Sequence, residues 1–235
     1  MMKNQRVNIT RREFLIGLSS AGAGFSLGLY LPLGSGTAQA AGEASSTAPE
    51  VNAWVVINQD DSVIIRVARS EMGQGTLTGR AQLVAEELEC DWSRVRTEYP
   101  TPGQSLARDR IWGSFSTGGS QGIRGSHLYV RKGGAVAREM LLEAAAENWD
   151  VAKEECSVSA SLITHNPTGR TTTYGKVAAA AAEMIPPVEV ALKDPKDWKL
   201  IGKPVKRLDT ADKLTGKQVF GADLQLPGML NASIR

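Results

Sequence analysis

The sequence predicts an α+β fold. Three observations predict it: short apolar runs that read as paired strands, longer stretches with apolar residues at helical spacing, and two glycine-rich junctions that each lead into a helix. At 235 residues, 42% apolar and 22% charged, the chain has the composition of a globular protein with ample material for a core.

Residues 1–40 read as an export signal. Thr10-Arg11-Arg12-Glu13-Phe14-Leu15 places paired arginines ahead of an apolar stretch, Phe14 to Leu33, and Ala38-Gln39-Ala40 supplies a small-x-small cleavage site. This pattern is that of a twin-arginine signal and predicts a periplasmic protein. Gly17, Gly22, Gly24 and Gly28 dilute the stretch, which favours a cleaved signal over an anchor, so no stable membrane span is expected. Cleavage removes Lys3, Arg6, Arg11 and Arg12 together with Glu13 and turns the formal charge of +2 into −1. No basic stripe remains, and nucleic acid is not expected as a partner. Twin-arginine export moves folded proteins, often with a cofactor already inserted, which directs attention to a bound redox group.

Residues 41–51 form a Ser/Ala/Thr-rich linker. Two strands follow, 53–58 and 62–68, joined by Gln59-Asp60-Asp61 as a tight turn. Glu71-Met72-Gly73-Gln74-Gly75 then leads into a helix over 77–89 whose Leu77, Ala81, Val84 and Leu88 share a face, with Glu86-Glu87 read as its solvated side. A strand over 94–99 and a loop over 100–116 precede the second junction, Ser116-Thr117-Gly118-Gly119-Ser120-Gln121-Gly122. A long helix over 123–149 comes next, with Gly133-Gly134 as its weak point. A hairpin over 156–173 turns at Asn166-Pro167-Thr168-Gly169, and an alanine-rich helix spans 174–184. The proline-containing connection 186–199 divides a domain over 52–185 from the start of another over 200–235. Residues 227–235 alternate like a strand with no partner after it, so the chain reads as a fragment cut inside that second domain.

Cys90 and Cys156 are the only cysteines. Their spacing does not decide whether they pair, and Cys90 reads as a small buried hydrophobe. Two thiols cannot hold an iron–sulfur cluster, and no Cys-x-x-Cys-His is present, so neither cluster nor haem is expected in this chain. His127 and His165 stand apart from acidic or cysteine neighbours at metal-ligand spacing. Ser70, Ser114 and Ser116 have no evident base. The tryptophans at 54, 92, 112, 149 and 198 are accounted for by packing.

The two glycine junctions carry the chemistry. A helix N-terminus presents unpaired N–H groups and partial positive charge, and glycines before it let an anion approach the backbone. Two such junctions suit a ligand with several anionic or polar groups, while the plain alternative is that Gly73 and Gly75 serve positive φ angles and 117–120 a helix cap. Glu71 reads as a loop-capping group in preference to an acid or base. Neither loop is a Walker loop or G-x-G-x-x-G.

Glu71-Met72-Gly73-Gln74-Gly75, with Gln82 on the following helix, resembles the molybdopterin-binding loop of the xanthine oxidase family of molybdenum hydroxylases. "STGGSQGIRGS", 116–126, resembles the family's second pterin-contacting loop, and "GKPVKRLDTADKLTGKQVFGADLQLPGML", 202–230, is similar to the start of its α/β hammerhead domain. In xanthine oxidase itself the hammerhead segment precedes the first loop; the reversed order here resembles the large subunit of the isoquinoline 1-oxidoreductase type, which includes exported aldehyde-oxidising relatives. The resemblance implies a molybdenum–molybdopterin cytosine dinucleotide cofactor. Met72, Gly73, Gln74 and Gly75 would line it, with the Gln74 amide near the metal's oxo ligand or the pterin, and Thr117, Gly118, Gly119 and Ser120 would offer N–H groups and hydroxyls. It implies oxidation of an N-heterocycle or aldehyde with oxygen from water, and electrons leaving to a [2Fe–2S] small subunit and then a cytochrome c subunit. The family's basic glutamate lies near the far end of the large subunit, beyond Arg235, so no catalytic residue is assigned and residues 41–235 alone are expected to be inactive. A cofactor-free scaffold subunit is the competing reading.

Overall fold

The computed structural model describes residues 49–233. The expected export signal and most of the linker lie outside them. The described part of that linker is not all irregular: Glu50–Asn52 forms β1, followed by β2 (Val55–Ile57), β3 (Val63–Arg66) and β4 (Val95–Glu98) in a four-stranded sheet of that order. β2 and β3 are antiparallel with Val55 opposite Ile65, and the tight turn between them closes with Asn58 and Ser62 paired. β3 and β4 are parallel, Val63 opposite Val95, because α1 (Thr76–Leu88) crosses between them.

The 100–116 stretch contains a short helix, α2 (Pro102–Leu106). Its signals are local: Thr101 accepts from the Gln104 amide, Gln104 accepts in return from the Thr101 amide, and Pro102 sits at the first helical position. The long helix α3 runs His127–Trp149, so residues 123–126 form a turn and not its first turn of helix.

Gly133-Gly134 does not interrupt α3; it lets the helix approach its neighbours. A Cβ on Gly134 would lie 2.3 Å from the Val84 carbonyl oxygen of α1, and one on Gly133 would lie 3.1 Å from the Trp54 ring. The helix backbones therefore meet where side chains would hold them apart. Asn52 fixes the same junction, donating to the Gly133 carbonyl at 2.9 Å and accepting from the Trp54 amide at 2.9 Å.

A second, three-stranded antiparallel sheet consists of β5 (Cys156–Ser159), β6 (Leu162–His165) and β7 (Thr171–Thr173). Its first turn, Ala160-Ser161, has both residues in the left-handed region and no glycine to announce it. α4 (Tyr174–Glu183) follows directly. The fully buried Tyr174 donates its hydroxyl to the Leu88 carbonyl at 2.5 Å, satisfying one of the open carbonyls at the end of α1.

Glu86 and Glu87 are not solvated: they are 1% and 0% exposed. All of α1 except Gly79 and Gln82 is buried, because the connection after residue 186 folds over the side that the amphipathic pattern assigned to water. Glu86 accepts from Lys193 Nζ at 2.8 Å and from the amides of Lys199, Leu200 and Ile201 at 2.9, 2.5 and 3.1 Å. Glu87 pairs with Arg131 of α3 at 2.6 Å and accepts from the Lys193 amide. Burial pushes the Glu86 carboxyl up, but Lys193 and the Leu200 and Ile201 amides outweigh it and hold the group below the ordinary glutamate value.

The connection carries a single helical turn, Pro195–Asp197, and the chain beyond it makes α5 (Thr210–Leu214) and a second short turn, Gly221–Asp223. The expected strand over 227–235 does not form in its described part: Pro227 to Ser233 are exposed and pair with no strand. An alternating pattern makes a strand only where a neighbour accepts its backbone bonds. Both cysteines are free thiols, and Cys90 is buried as a small hydrophobe, its thiol pushed up to about 12 by desolvation. No described helix is long and apolar enough to cross a membrane.

Candidate functional site

The first glycine loop caps the end of β3 and opens α1. Gly73 and Gly75 take φ of 101° and 86°, which is where glycine is required, and a Cβ at either would meet nothing within 4 Å. Their amides are not bare, however. The Glu71 carboxylate turns back over the loop and accepts from Gly73 and Gly75, each at 2.8 Å, and from Leu77 at 2.9 Å. Glu71 thus caps α1, as its position in the sequence suggested, and occupies the donors expected for a ligand. Gln74 is also engaged, accepting from the Met72 amide at 2.5 Å and donating to the Ser70 carbonyl and to Thr76 Oγ1. Met72 is the large apolar side chain this loop presents outward, 69% exposed.

Glu71 has a partner that sequence reasoning missed. Arg207 donates to it at 3.1 Å and to the Gly73 carbonyl at 2.9 Å. Arg207 is in turn held by Asp209, and Asp209 by Lys213, both at the foot of α5. The Arg207 hydrogen bond, with Lys213 adding to it against burial, lowers the Asp209 pKa to about 2. Burial raises Glu71, and the Gly75, Leu77 and Gly73 amides with the Arg207 charge overcome that and lower it. The Leu208 amide donates to Thr78 Oγ1, so the 200–209 segment is sewn along the first turns of α1, with Gln82 donating to the Leu200 carbonyl. The signal that could have found this pairing is the Arg-x-Asp of "KRLDT", a charged pair available to face a helix start.

The second loop lies against the first. Thr117 donates its hydroxyl to the Ser70 carbonyl at 3.0 Å, and Arg69 donates to the Ser116 carbonyl. A Cβ on Gly122 would sit 2.6 Å from Thr76 Cγ2, and one on Gly79 would sit 3.1 Å from Ile123 Cδ1, so the two junctions touch along their length. The second loop is not at a helix head. Gly119 and Ser120 occupy the left-handed region at φ 54° and 58°, and the turn 121–126 separates them from α3. Among the described residues the N–H groups of Gly118, Gly119 and Ser120 have no acceptor, all three residues are exposed, and nothing lies within 4 Å of a Cβ on Gly118. All eight sequence-predicted site residues therefore fall on two adjoining loops, but their roles divide: the second loop offers unpaired backbone donors, the first a preorganised surface whose Met72, Gly73 and Gly75 amides are already engaged. That donor set fits a polar, anionic heterocycle better than a metal ion, and no described group of three His, Cys, Asp or Glu is placed to hold a metal.

A model of the molybdopterin cofactor-binding domain matches residues 4–221, across both loops and the segment that clasps them. The chain belongs to the molybdopterin cofactor-binding domain family. This bears out the resemblance to the molybdenum hydroxylases of the xanthine oxidase type. Among relatives of this molybdopterin cofactor-binding chain, the isoquinoline 1-oxidoreductase beta chain of Brevundimonas diminuta is 28% identical over 98% of this chain and 34% of that protein. The membrane-bound aldehyde dehydrogenase [pyrroloquinoline-quinone] of Gluconacetobacter polyoxogenes is 29% identical over 97% of this chain and 29% of that protein. Of solved structures, quinoline 2-oxidoreductase from Pseudomonas putida 86 aligns over 54% of this chain and 15% of that one, with TM-score 0.41 and 18% identity. The chain spans about a third of the length of the first two of these relatives.

Proposed function

We propose that this chain supplies the pterin-gripping part of an exported molybdenum hydroxylase that oxidises an aldehyde or an N-heterocycle with oxygen from water. The observation that carries the reading is the contact between the loops, Thr117 on Ser70 and Gly122 against Thr76, which gathers Met72 to Gly75 and Thr117 to Ser120 onto one surface. Gly118, Gly119 and Ser120 would donate N–H bonds to the pterin or its phosphate, and the Glu71-stiffened first loop would hold Met72 and Gln74 against it. When bound, the cofactor supplies a molybdenum centre that takes up electrons from the oxidised carbon. This chain's residues bind and orient it. The dinucleotide is the cytosine form, the electrons pass to a [2Fe–2S] subunit and then a cytochrome c subunit, and the site of action is the periplasm. The names of the relatives support the substrate classes, and Arg11-Arg12 supports export.

One observation favours the scaffold reading: the Gly73 and Gly75 amides already serve Glu71. The two separate on the complete subunit purified with its iron–sulfur partner. Oxidation of an aldehyde or N-heterocycle in ¹⁸O-labelled water should place the label in the product, and acid hydrolysis should release a cytidine nucleotide. A protein free of molybdenum that still assembles with its partner would establish the scaffold.

A further inference from the structure

Behind the two loops lies a set of buried donors with nothing to receive them. Arg80 of α1 is 1% exposed, yet its Nε and Nη1 have no hydrogen-bond partner; only one Nη2 bond, to the Tyr129 hydroxyl at 3.2 Å, is made. Its guanidinium lies 5.7 Å from the ring centroids of both Trp54 and Tyr129. Aromatic faces meet the flat of a guanidinium and leave the N–H bonds, which radiate in its plane, unmatched. The stacked Trp54 is likewise 1% exposed with an orphan Nε1, and Arg69 has an orphan buried Nε. Burial lowers the Arg80 pKa, the Tyr129 hydroxyl works against that, and the Arg69 charge adds to the lowering. No described carboxylate pairs with either.

Every unmet group in this cluster is a donor, and two of the three residues are cations. Nearly all buried polar groups in folded proteins are paired, and a buried charge without a counterion is strongly disfavoured. The complement of such a cluster is a group that only accepts and is negative. We infer that Trp54, Arg69 and Arg80 form a binding site for a phosphate-type oxyanion. Arg69 ties this cluster to the second loop: its Nη1 donates to the Ser116 carbonyl, and beside it Thr117 donates its hydroxyl to the Ser70 carbonyl. The site stands independently of the cofactor reading, since a free phosphate and the phosphate of a bound dinucleotide present the same oxygens.

The test uses the full-length protein purified without cofactor and titrated with inorganic phosphate against chloride at matched ionic strength. A specific site raises the melting temperature with phosphate concentration, while screening alone acts equally through either salt. Arg80→Met should weaken the phosphate response by about tenfold or more in apparent Kd, the loss expected for a charge-assisted bond. It should also melt no lower than wild type without phosphate, because it removes an uncompensated buried charge. Arg69→Gln, at a half-buried position, gives the same loss if Arg80→Met fails to fold. Repeating the titration on cofactor-loaded protein identifies the source: an abolished response means the cofactor's phosphate fills the site, and a retained one means a separate anion. Absence of any phosphate-specific shift in wild type, or an undiminished shift in both variants, overturns the assignment.

Discussion

Arg207 donates to the Glu71 carboxylate at 3.1 Å across 136 residues of chain. The pair joins the segment that follows α4 to the first glycine loop, and the Glu71 side chain, 7% exposed, is held there by three backbone amides as well. The loop's shape is therefore set by an internal anion before any ligand arrives.

Acid should loosen this arrangement first. Glu71 and Asp209 both titrate below their ordinary values of 4.5 and 3.8 in the folded chain, Asp209 at about 2. Groups depressed on folding contribute stability that is complete above the unfolded pKa and is lost as pH falls towards the folded one. Melting temperature should thus fall as pH drops below 4.5 towards 2. Glu71→Gln should flatten the upper part of that slope and cost about 1–2 kcal/mol at neutral pH as a weakened helix cap. An unchanged acid slope in the variant would show that Glu71 is not the titrating cap.

Glu86 should be among the costliest acidic side chains to lose. Removing it strands Lys193 and the amides of Lys199 to Ile201 against the flank of α1. Urea denaturation should show Glu86→Ala destabilised by about 3–5 kcal/mol. The exposed Glu183 serves as control, with Glu183→Ala within about 0.5 kcal/mol of wild type. Similar losses at both positions would mean that 193–201 does not dock as described.

Gly134 should be far less tolerant than an exposed glycine. The added methyl of Gly134→Ala would lie 2.3 Å from the Val84 carbonyl oxygen, so α1 and α3 must separate. Overpacking of this kind costs about 1–3 kcal/mol and exceeds the helix-propensity gain of alanine. Thermal melting should show the drop, and a stabilised Gly134→Ala would contradict the close crossing.

The cysteines should behave as separate thiols. Desolvation pushes Cys90 to about 12 and raises the half-exposed Cys156 more mildly. Because the thiolate is the reactive form, alkylation at about pH 8 should modify Cys156 slowly and leave Cys90 untouched until denaturant is added. Labelling of Cys90 in the native protein would show that the α1 end opens readily.

Elements with their own local period were legible: α1, the β2–β3 turn and the alanine-rich α4 all fall within a residue or two of where apolar spacing and turn residues place them. What escaped was what depends on a distant partner. Glu86-Glu87 looks solvated until the 193–201 backbone arrives to use it. The 227–233 run looks like a strand but has no neighbour. Gly133-Gly134 looks like a break, when it is a contact with Trp54 and Val84. The positions of both glycine loops were readable, and so was the capping role of Glu71. Their division of labour was not, because it rests on where one carboxylate folds and on Arg207.

The proposed grip on the cofactor turns on the second loop offering its backbone. Gly118 is the place to test it, since its residue is exposed and a Cβ there meets nothing within 4 Å, so a larger side chain should leave the fold intact. In the complete subunit, the molybdenum content per polypeptide of Gly118→Leu should fall to a small fraction of wild type while its melting temperature in the cofactor-free state stays unchanged. A Gly118→Leu protein that keeps its full molybdenum would contradict the proposed site.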